Sequence, residues 1–371
     1  MIVAEIGTSH GGSFEKAAEL IDAAAAAGTD AVKFQWVYAD EILHPDTGFV
    51  KLPGGSIRLY DRFKQLEVSS DFYARAADYA RSKGVEFICS PFGLRSLHEL
   101  LDIHPDAVKI ASPELNHIPL LEALAAFRAR QKDDGEEPVP VIISSGVSKL
   151  ADMEKALTIL GKERVTLLHC ITSYPAPETE YNVRLVGTLS SIFGIPCGIS
   201  DHSLDPVLVP ALAAAAGGVM TEKHITLSKS TDGLDDPVAL EPEQFAQMVH
   251  AVNQCEAALR HYGKERGYAE IIKQTEDEYG TEKVLAVLGT GIKTLAPAER
   301  ANYGRTNRSL HFMHDMPAGE LIGPADIGVL RTEKILTPGI SPEYLKTVTG
   351  AYTVHTVTAG AGVQWEDVIK K

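Results

Sequence analysis

The stretch Ile195–Thr226, IPCGISDHSLDPVLVPALAAAAGGVMTEKHIT, decides how this chain folds. It holds two apolar runs, Ile195–Ile199 and Gly218–Thr221. Each ends in a polar cluster, Ser200-Asp201-His202 in the first case and Glu222-Lys223-His224 in the second. The alanine-rich segment Val207–Ala216 between them reads as a helix. A strand–helix–strand unit of this kind has parallel strands, so both clusters emerge at one rim of the sheet. Neutral imidazoles converging there suit a divalent metal with open coordination positions. A lone histidine in such a place reads more simply as a strand cap; the pairing of two clusters argues for more.

Outward from this unit the same alternation continues in both directions, from Ile2 to about Tyr262. β-rich runs occur at Ile2–Ile6, Ala31–Phe34, Val85–Cys89, Ala107–Ile110, Val139–Ile143 and Val165–Cys170. Helical patterns follow most of them, at Phe14–Ala27, Ser70–Lys83, Leu94–Asp102, Leu120–Arg130, Ala151–Leu160 and Asn182–Phe193, and Glu243–Tyr262 closes the series. Eight strand–helix repeats predict a (β/α)8 TIM barrel over residues 1–265. A doubly wound open sheet is the alternative. It normally carries a glycine-rich fingerprint after its first strand, and Glu5-Ile6-Gly7-Thr8-Ser9-His10-Gly11-Gly12 is not GxGxxG. Residues 266–305 read as a charged, partly helical connecting arm. Residues 306–371 read as a small β-rich domain, marginal by itself, with a weak internal repeat pairing Ala318-Gly319 with Ala361-Gly362.

Composition bounds the function classes. The chain has 371 residues, 44% of them hydrophobic and 23% charged, as in soluble globular proteins. A net charge of −15 argues against a general nucleic-acid or anionic-membrane surface, so an anionic substrate needs its own cluster of cations. No apolar run is long enough to span a bilayer. Met1–Glu5 opens straight into a strand-like run, which predicts no secretory signal. The scattered cysteines Cys89, Cys170, Cys197 and Cys255 read as reduced, buried thiols, and with them a cytoplasmic location.

In a barrel of this kind the polar residues at the C-terminal strand ends surround one pocket. In strand order they are Glu5 and His10; Lys33 and Gln35; Ser90; Lys109, Ser112 and Glu114; Ser144 and Ser145; His169, Thr172 and Tyr174; Asp201 and His202; Glu222 and His224. Any one of them could be structural, Lys33 as a snorkelling lysine and Glu5 as its buried partner. A barrel built only for packing would close these positions with apolar or small residues. Lys33 and Lys109, with the hydroxyls of Ser90, Ser112 and Ser144 or Ser145, make a phosphate and carboxylate cradle. His202 and His224 are metal-ligand candidates, and Glu5, Glu114, Glu222 and Asp235 are candidate acid–base groups or hydroxyl acceptors. This set fits carbon–carbon bond formation between a phosphorylated small acid and a carbonyl compound. It also fits a Schiff-base aldolase on either lysine, or a barrel that binds carbohydrate without turnover.

The motifs AEIGTSHGGS, DAVKFQ, CSPF, VKIASPEL, ISSGV, LHCITSYPAP, GISDHS and TEKHIT, followed by DGLDDPVALEP, resemble in order those of the N-acetylneuraminate (sialic acid) synthase family. That family includes legionaminate, pseudaminate and spore-coat polysaccharide relatives. The tail NRSLHFMHDMPAGELIGPADIGVLR resembles its C-terminal antifreeze-like (SAF) domain. The resemblance implies condensation of phosphoenolpyruvate (PEP) with an N-acetylmannosamine-like aldose to a nonulosonic acid, phosphate leaving by C–O cleavage. It implies Mn2+ or Mg2+ on His202 and His224, with PEP held by Lys33, Ser90, Lys109, Ser112, Ser144 and Ser145. Gln35, Glu114, Tyr174 and Asp235 would contact sugar hydroxyls, and Glu5 and Glu222 would serve proton transfer. Arg308 would arrive from the partner subunit of a domain-swapped homodimer. Departures from the family's pattern fall mainly on the acceptor side: Ser9-His10 for Asn-His, Pro113 for a glycine, Thr172 for an asparagine, and Asp235-Asp236-Pro237 for Pro-Asp-His.

Overall fold

The computed structural model describes residues 1–52, 55–231, 233–333 and 335–370. The strands, in chain order, are β1 (Ile2–Gly7), β2 (Ala31–Trp36), β3 (Phe49–Leu52), β4 (Gly55–Arg58), β5 (Glu86–Pro91), β6 (Ala107–Ile110) and β7 (Val141–Ser144). There follow β8 (Val165–Cys170), β9 (Cys197–Asp201), β10 (Thr221–His224), β11 (Arg308–Phe312), β12 (Ile327–Arg331), β13 (Tyr352–Thr353) and β14 (Val368–Ile369). A closed barrel forms in the order β1-β10-β9-β8-β7-β6-β5-β2, every pairing parallel. The hairpin β3–β4 belongs to an excursion between β2 and β5 that the strand–helix reading passed over.

Two apolar layers hold the barrel. The larger lies between strands and helices and includes Ile6, Phe34, Phe87, Ile110, Leu167 and Phe245. The smaller fills the barrel's interior and consists of Val3, Ala31, Ile88, Ala107, Ile142, Leu168 and Met220. Side chains alternate across a strand, so the residue two further along points to the same interior. Applied to that layer, the step gives Glu5, Lys33, Ser90, Lys109, Ser144, Cys170 and Glu222. The barrel is thus closed by hydrocarbon at one level and lined by polar groups at the next, toward the C-terminal strand ends.

The last two barrel strands lie further along the chain than expected: the run Ile195–Ile199 is realised as Cys197–Asp201. The last barrel strand was expected over Gly218–Thr221, with Glu222 and His224 beyond it; it spans Thr221–His224. Pairing with β1 runs from Ile2↔Thr221 to Glu5↔His224, so the hydrogen-bond ladder carries the strand past its apolar run.

The connecting arm is not a loose tether. Its helices Lys264–Tyr279 and Thr281–Leu288 pack on the barrel's outer helices, Ile271 against Ala211, Ala214 and Ala215, and Val284 and Leu288 against Leu208 and Leu212. That second layer explains why the helix Leu208–Ala215 is buried on every side and reads as uniformly apolar.

The C-terminal domain packs β11 against β12 and β13 against β14 around a core of Leu310, Phe312, Met316, Ile322, Val348 and Val363. Its internal repeat is real but pairs differently from the sequence match. Ala318-Gly319 corresponds to Ala359-Gly360, where both glycines turn the chain at φ 82 and 79. The ion pair His314–Asp326 has its counterpart in His355–Asp367, at 3.3 and 3.1 Å. Ala361-Gly362 lies two residues past the equivalent turn, so similarity of residue type alone misaligned the halves.

Four histidines are packed away from solvent as neutral groups. Burial lowers His10 and His311 to about 4, and His117 and His169 to about 3. Unfolded, each returns to about 6.5, so below that pH the unfolded chain takes up protons that the folded one does not. Stability therefore falls as pH drops from about 6.5 toward 4, by up to about 2 kcal/mol per histidine at pH 5. Melting temperatures measured by calorimetry should decline steeply over that interval; a flat profile would contradict the burial.

Candidate active site

The polar interior layer opens into a narrow chamber at the C-terminal end of the barrel. Its lining includes Glu5, Lys33, Gln35, Ser90, Lys109, Ser112, Ser144, Tyr174, His202, Glu222 and His224, all anticipated from the sequence. Residues as distant in the chain as Glu5 and His224 meet here because eight parallel strands bring their ends to one rim. Cys170 and Ser200 also line it and were not anticipated as site residues.

The charged groups form one buried network. Lys33 Nζ lies 2.7 Å from Glu5 Oε2 and 3.8 Å from Glu222 Oε2, and Lys109 Nζ lies 3.2 Å from Glu222 Oε1. Gln35 Nε2 donates to Glu5 Oε1 at 2.7 Å, and Ser200 Oγ donates to Glu222 Oε1 at 2.9 Å. Burial alone would raise the Glu222 carboxyl, but the Lys109 and Lys33 ammoniums outweigh it and hold the group at about 2. Burial likewise opposes charge on Lys33, and Glu222 and Glu5 outweigh it, so this lysine is held charged. Lys109 is pulled below its ordinary value, chiefly by burial.

Several hydroxyls around this network lack partners among the described residues. Ser144 Oγ and Thr172 Oγ1 are buried without a hydrogen bond. Ser112 Oγ accepts from Gly146 N at 3.0 Å. A Cβ at Gly146 would lie 2.1 Å from Thr172 Oγ1 and 2.8 Å from Ser112 Oγ, so only glycine leaves this corner open. Outside the lining, Lys293 of the arm donates from Nζ to Ser145 O at 3.4 Å. Charged groups and unsatisfied hydroxyls converging on one spot are what an anion needs on leaving water.

The histidines sit at the chamber's outer edge. The ring centroids of His202 and His224 are 5.6 Å apart, and Tyr174 stacks on His202 at 4.2 Å. His202 Nδ1 lies 2.8 Å from the Ile171 carbonyl oxygen. A carbonyl only accepts, so Nδ1 carries a proton; burial opposes charge on this ring, but Cys170 and the Ile171 carbonyl outweigh it and raise His202 to about 9, so Nε2 must give up a proton to bind a cation. Burial first, and His202 second, hold His224 well below the imidazole range and therefore neutral. Among the described residues no group of three or more His, Cys, Asp or Glu side chains could hold a metal ion. Two imidazoles, His224 neutral and His202 after loss of a proton, are what this site offers. They fit a divalent cation that takes its other ligands from water and substrate. Behind them, Lys223 Nζ and Asp201 Oδ2 form a buried pair at 2.5 Å that ties β9 to β10.

A second, wider chamber of about 370 Å³ lies above the first, sharing Gln35, Ala111, Pro113, Thr172 and Tyr174 with it. Asp235 lines this outer chamber, and burial, followed by the Glu5 charge, pushes its carboxyl up to about 6. Its roof comes from the arm and the C-terminal domain: Asn302, Arg305, Thr306, Arg331 and Glu333.

Other expected site residues lie elsewhere. Ser145 is buried but outside the chamber lining, because it has the opposite strand parity to Ser144. His169 is turned away, its Nε2 on Tyr181 O at 2.6 Å, and Asp201 belongs to the ion pair with Lys223. His10 packs on Phe72 and Phe34. The DGLDDPVALEP motif falls within the described residues except for Asp232.

Glu114 and Arg308, expected at the sugar, lie together outside the chamber. Glu114 is fully buried and meets no chamber: Arg308 Nε pairs with its Oε2, and Arg331 Nε donates to its Oε1 at 3.0 Å. Arg308 also donates to the carbonyls of Glu41 (2.5 Å), Val329 (3.0 Å) and Phe92 (2.7 Å). Both belong to this chain's own domains, so the arginine expected from a partner is here supplied in cis, as a fastener rather than a sugar contact. Arg308→Ala removes the fastener and strands buried carbonyls, an expected cost of about 3 to 5 kcal/mol. The C-terminal domain should then become sensitive to limited proteolysis at temperatures where the barrel stays intact. Unchanged protection would contradict the role.

Residues 20–264 match the NeuB family, and residues 307–369 match the SAF domain. The spore coat polysaccharide biosynthesis protein SpsE of Bacillus subtilis (strain 168) is 30% identical, over 100% of this chain and 94% of its own. The N,N'-diacetyllegionaminic acid synthase of Legionella pneumophila is 28% identical over 99% and 94%. Among solved structures, SpsE of Bacillus subtilis superposes with a TM-score of 0.80 at 30% identity, over 100% of this chain and 95% of that one. The N-acetylneuraminic acid (sialic acid) synthetase of Leptospira borgpetersenii does so at 0.63 and 32%, over 75% and 90%.

Proposed function

The chain belongs to the NeuB family and carries a SAF domain, and on that premise we propose that it condenses PEP with an N-acetylmannosamine-like aldose. The products are a nonulosonic acid and phosphate. Relatives named as legionaminic, pseudaminic and N-acetylneuraminate-9-phosphate synthases support the reaction class. The observation that carries it is the juxtaposition of two buried lysines, unpartnered hydroxyls and two histidines at one strand-end chamber.

His202 and His224 would hold Mn2+ or Mg2+, which supplies Lewis acidity toward an aldehyde carbonyl when bound. Lys33 and Lys109 would neutralise the carboxylate and phosphate of PEP, and Ser90, Ser112, Ser144 and Thr172 would donate to its oxygens. In the balanced reaction, C3 of PEP bonds to the aldehyde carbon, water adds at C2, and the C2–O bond to phosphate breaks. Glu5 and Glu222, the two carboxylates lining the chamber, would serve the proton transfers at that water. Tyr174 and Gln35 border the outer chamber, where sugar hydroxyls would lie, with Asp235 opposite.

No helix among the described residues is long and apolar enough to cross a membrane. All four cysteines are free and buried, which supports a cytoplasmic setting. A domain-swapped homodimer stays within the proposal, with the contacts seen in cis re-formed between subunits; light scattering would give its mass.

The test is phosphate release from PEP by purified protein with Mn2+ and a panel of N-acetylated hexosamines. Metal-dependent release with at least one is expected. No release with any, or borohydride trapping of a keto acid on Lys109, would overturn the reading in favour of an aldolase.

A further inference from the structure

The last stretch of the arm, residues 293–307, reaches over two loops that border the inner chamber, and Glu299 stands at its centre. The residue is 1% exposed, lines neither chamber, and ends the single-turn helix Pro297–Glu299. Its Oε2 accepts from Val147 N at 2.9 Å and from Thr172 N at 3.0 Å. Its Oε1 accepts from Ala296 N at 3.2 Å and so closes the arm's own turn.

The two loop residues are held through both of their backbone groups. Asn307 Nδ2 donates to Val147 O at 3.1 Å, and Asn302 Nδ2 donates to Thr172 O at 3.3 Å. With Lys293 on Ser145 O, the arm satisfies main-chain groups that lie beyond the ends of β7 and β8. Val147 moreover stands at φ 43, a conformation that a β-branched residue adopts only when its surroundings impose it. Between these clamped points lies the corner that only glycine leaves open, where Thr172 Oγ1 is buried without a hydrogen bond and Ser112 Oγ is its neighbour. One carboxylate bridging backbone N–H groups of two loops fixes their separation, and with it the place of Thr172 Oγ1 relative to Gly146 and Ser112.

We propose that Glu299 is a positioning residue for the anionic substrate. Without touching that substrate, it holds the loops after β7 and β8 at the separation that keeps Thr172 Oγ1 beside Ser112 Oγ at the wall of the inner chamber. The proposal rests on the PEP–aldose reading and assigns a role within it. Placement and charge predict opposite effects here. A carboxylate close to the chamber repels an anion, so removing its charge alone would tighten PEP, whereas shortening a strut loosens it.

The experiment follows phosphate release from PEP, with Mn2+ and an acceptor that supports turnover, in Glu299→Asp, Glu299→Gln and Glu180→Ala. Glu299→Asp keeps the charge and withdraws the oxygens by one methylene. Its KM for PEP should rise about tenfold, the loss expected of a charge-assisted hydrogen bond, with kcat and the acceptor's KM nearly unchanged. Glu299→Gln keeps the length and one oxygen for the two N–H groups, so its KM should stay within about threefold of the parent's. Its melting temperature should nonetheless fall, because the amide N–H faces Ala296 N. Glu180 anchors the same turn of the arm, accepting from Ala298 N at 2.8 Å, and holds neither Val147 nor Thr172; Glu180→Ala should leave the KM for PEP unchanged. A parent-like KM in Glu299→Asp overturns the proposal, as does an equal rise in Glu299→Gln or in Glu180→Ala. A fall in kcat alone overturns it too, since that is what fewer folded molecules give. Parent protein that releases no phosphate with any acceptor overturns the reaction reading, and the proposal with it.

Discussion

His202→Ala should abolish metal-dependent turnover while leaving the barrel folded. The imidazole stands at the chamber's edge, outside the apolar layers, so its loss removes a ligand and little packing. With two histidines lining the chamber among the described residues, losing one leaves a single imidazole, and Mn2+ affinity measured by electron paramagnetic resonance should collapse. Loss of Lewis-acid assistance worth about 4 kcal/mol corresponds to roughly a thousandfold in rate. His224→Ala should behave alike, since its neutral ring completes the pair. Full Mn2+ binding by either variant would dismantle the metal-site assignment whatever its activity.

Lys109→Met carries the second large effect. Lys109 and Lys33 share Glu222, at 3.2 and 3.8 Å. Removing one ammonium from a buried pair typically costs about 3 kcal/mol or more, so PEP affinity by calorimetry should fall roughly a hundredfold. The melting temperature should fall as well, because Glu222 is left short of charge. The double variant Lys109→Met/Glu222→Gln removes both charges and should regain much of the stability without regaining PEP affinity. If affinity returned with stability, Lys109 would be a structural counter-ion and not an anion ligand.

Much of this site could be read from the chain because buried strands punish polar residues. Lys33 and Lys109 interrupt apolar β-branched runs, and such interruptions in a barrel strand require a pocket. The same argument extends to Cys170 and Ser200 once the interior layer is identified: Leu168 and Gly198 precede them by two, as Val3 precedes Glu5. Their small size hid them, since a cysteine or serine in a strand passes for packing. Strand parity would also have set aside His169, Asp201 and Ser145, which face the other way.

What the sequence hid depends on contacts between distant segments. Glu114 sits four residues beyond the strand reading of β6 and looked like a sugar ligand; two arginines from the far end of the chain claim it. Lys293 lies in a stretch with weak periodicity, and only the packing of the arm's helices brings it to Ser145. The excursion between β2 and β5 broke the strand–helix rhythm and was silent for that reason, yet it supplies the outer chamber's apolar wall.

The most direct test of the central claim uses PEP carrying oxygen-18 at the bridging position, incubated with the protein, Mn2+ and an acceptor that supports turnover. Cleavage of the C2–O bond after carbon–carbon bond formation predicts that the label leaves with phosphate and that the sugar acid's C2 oxygen comes from water. Label retained in the sugar acid, or label lost to phosphate with no sugar acid formed, would contradict the account.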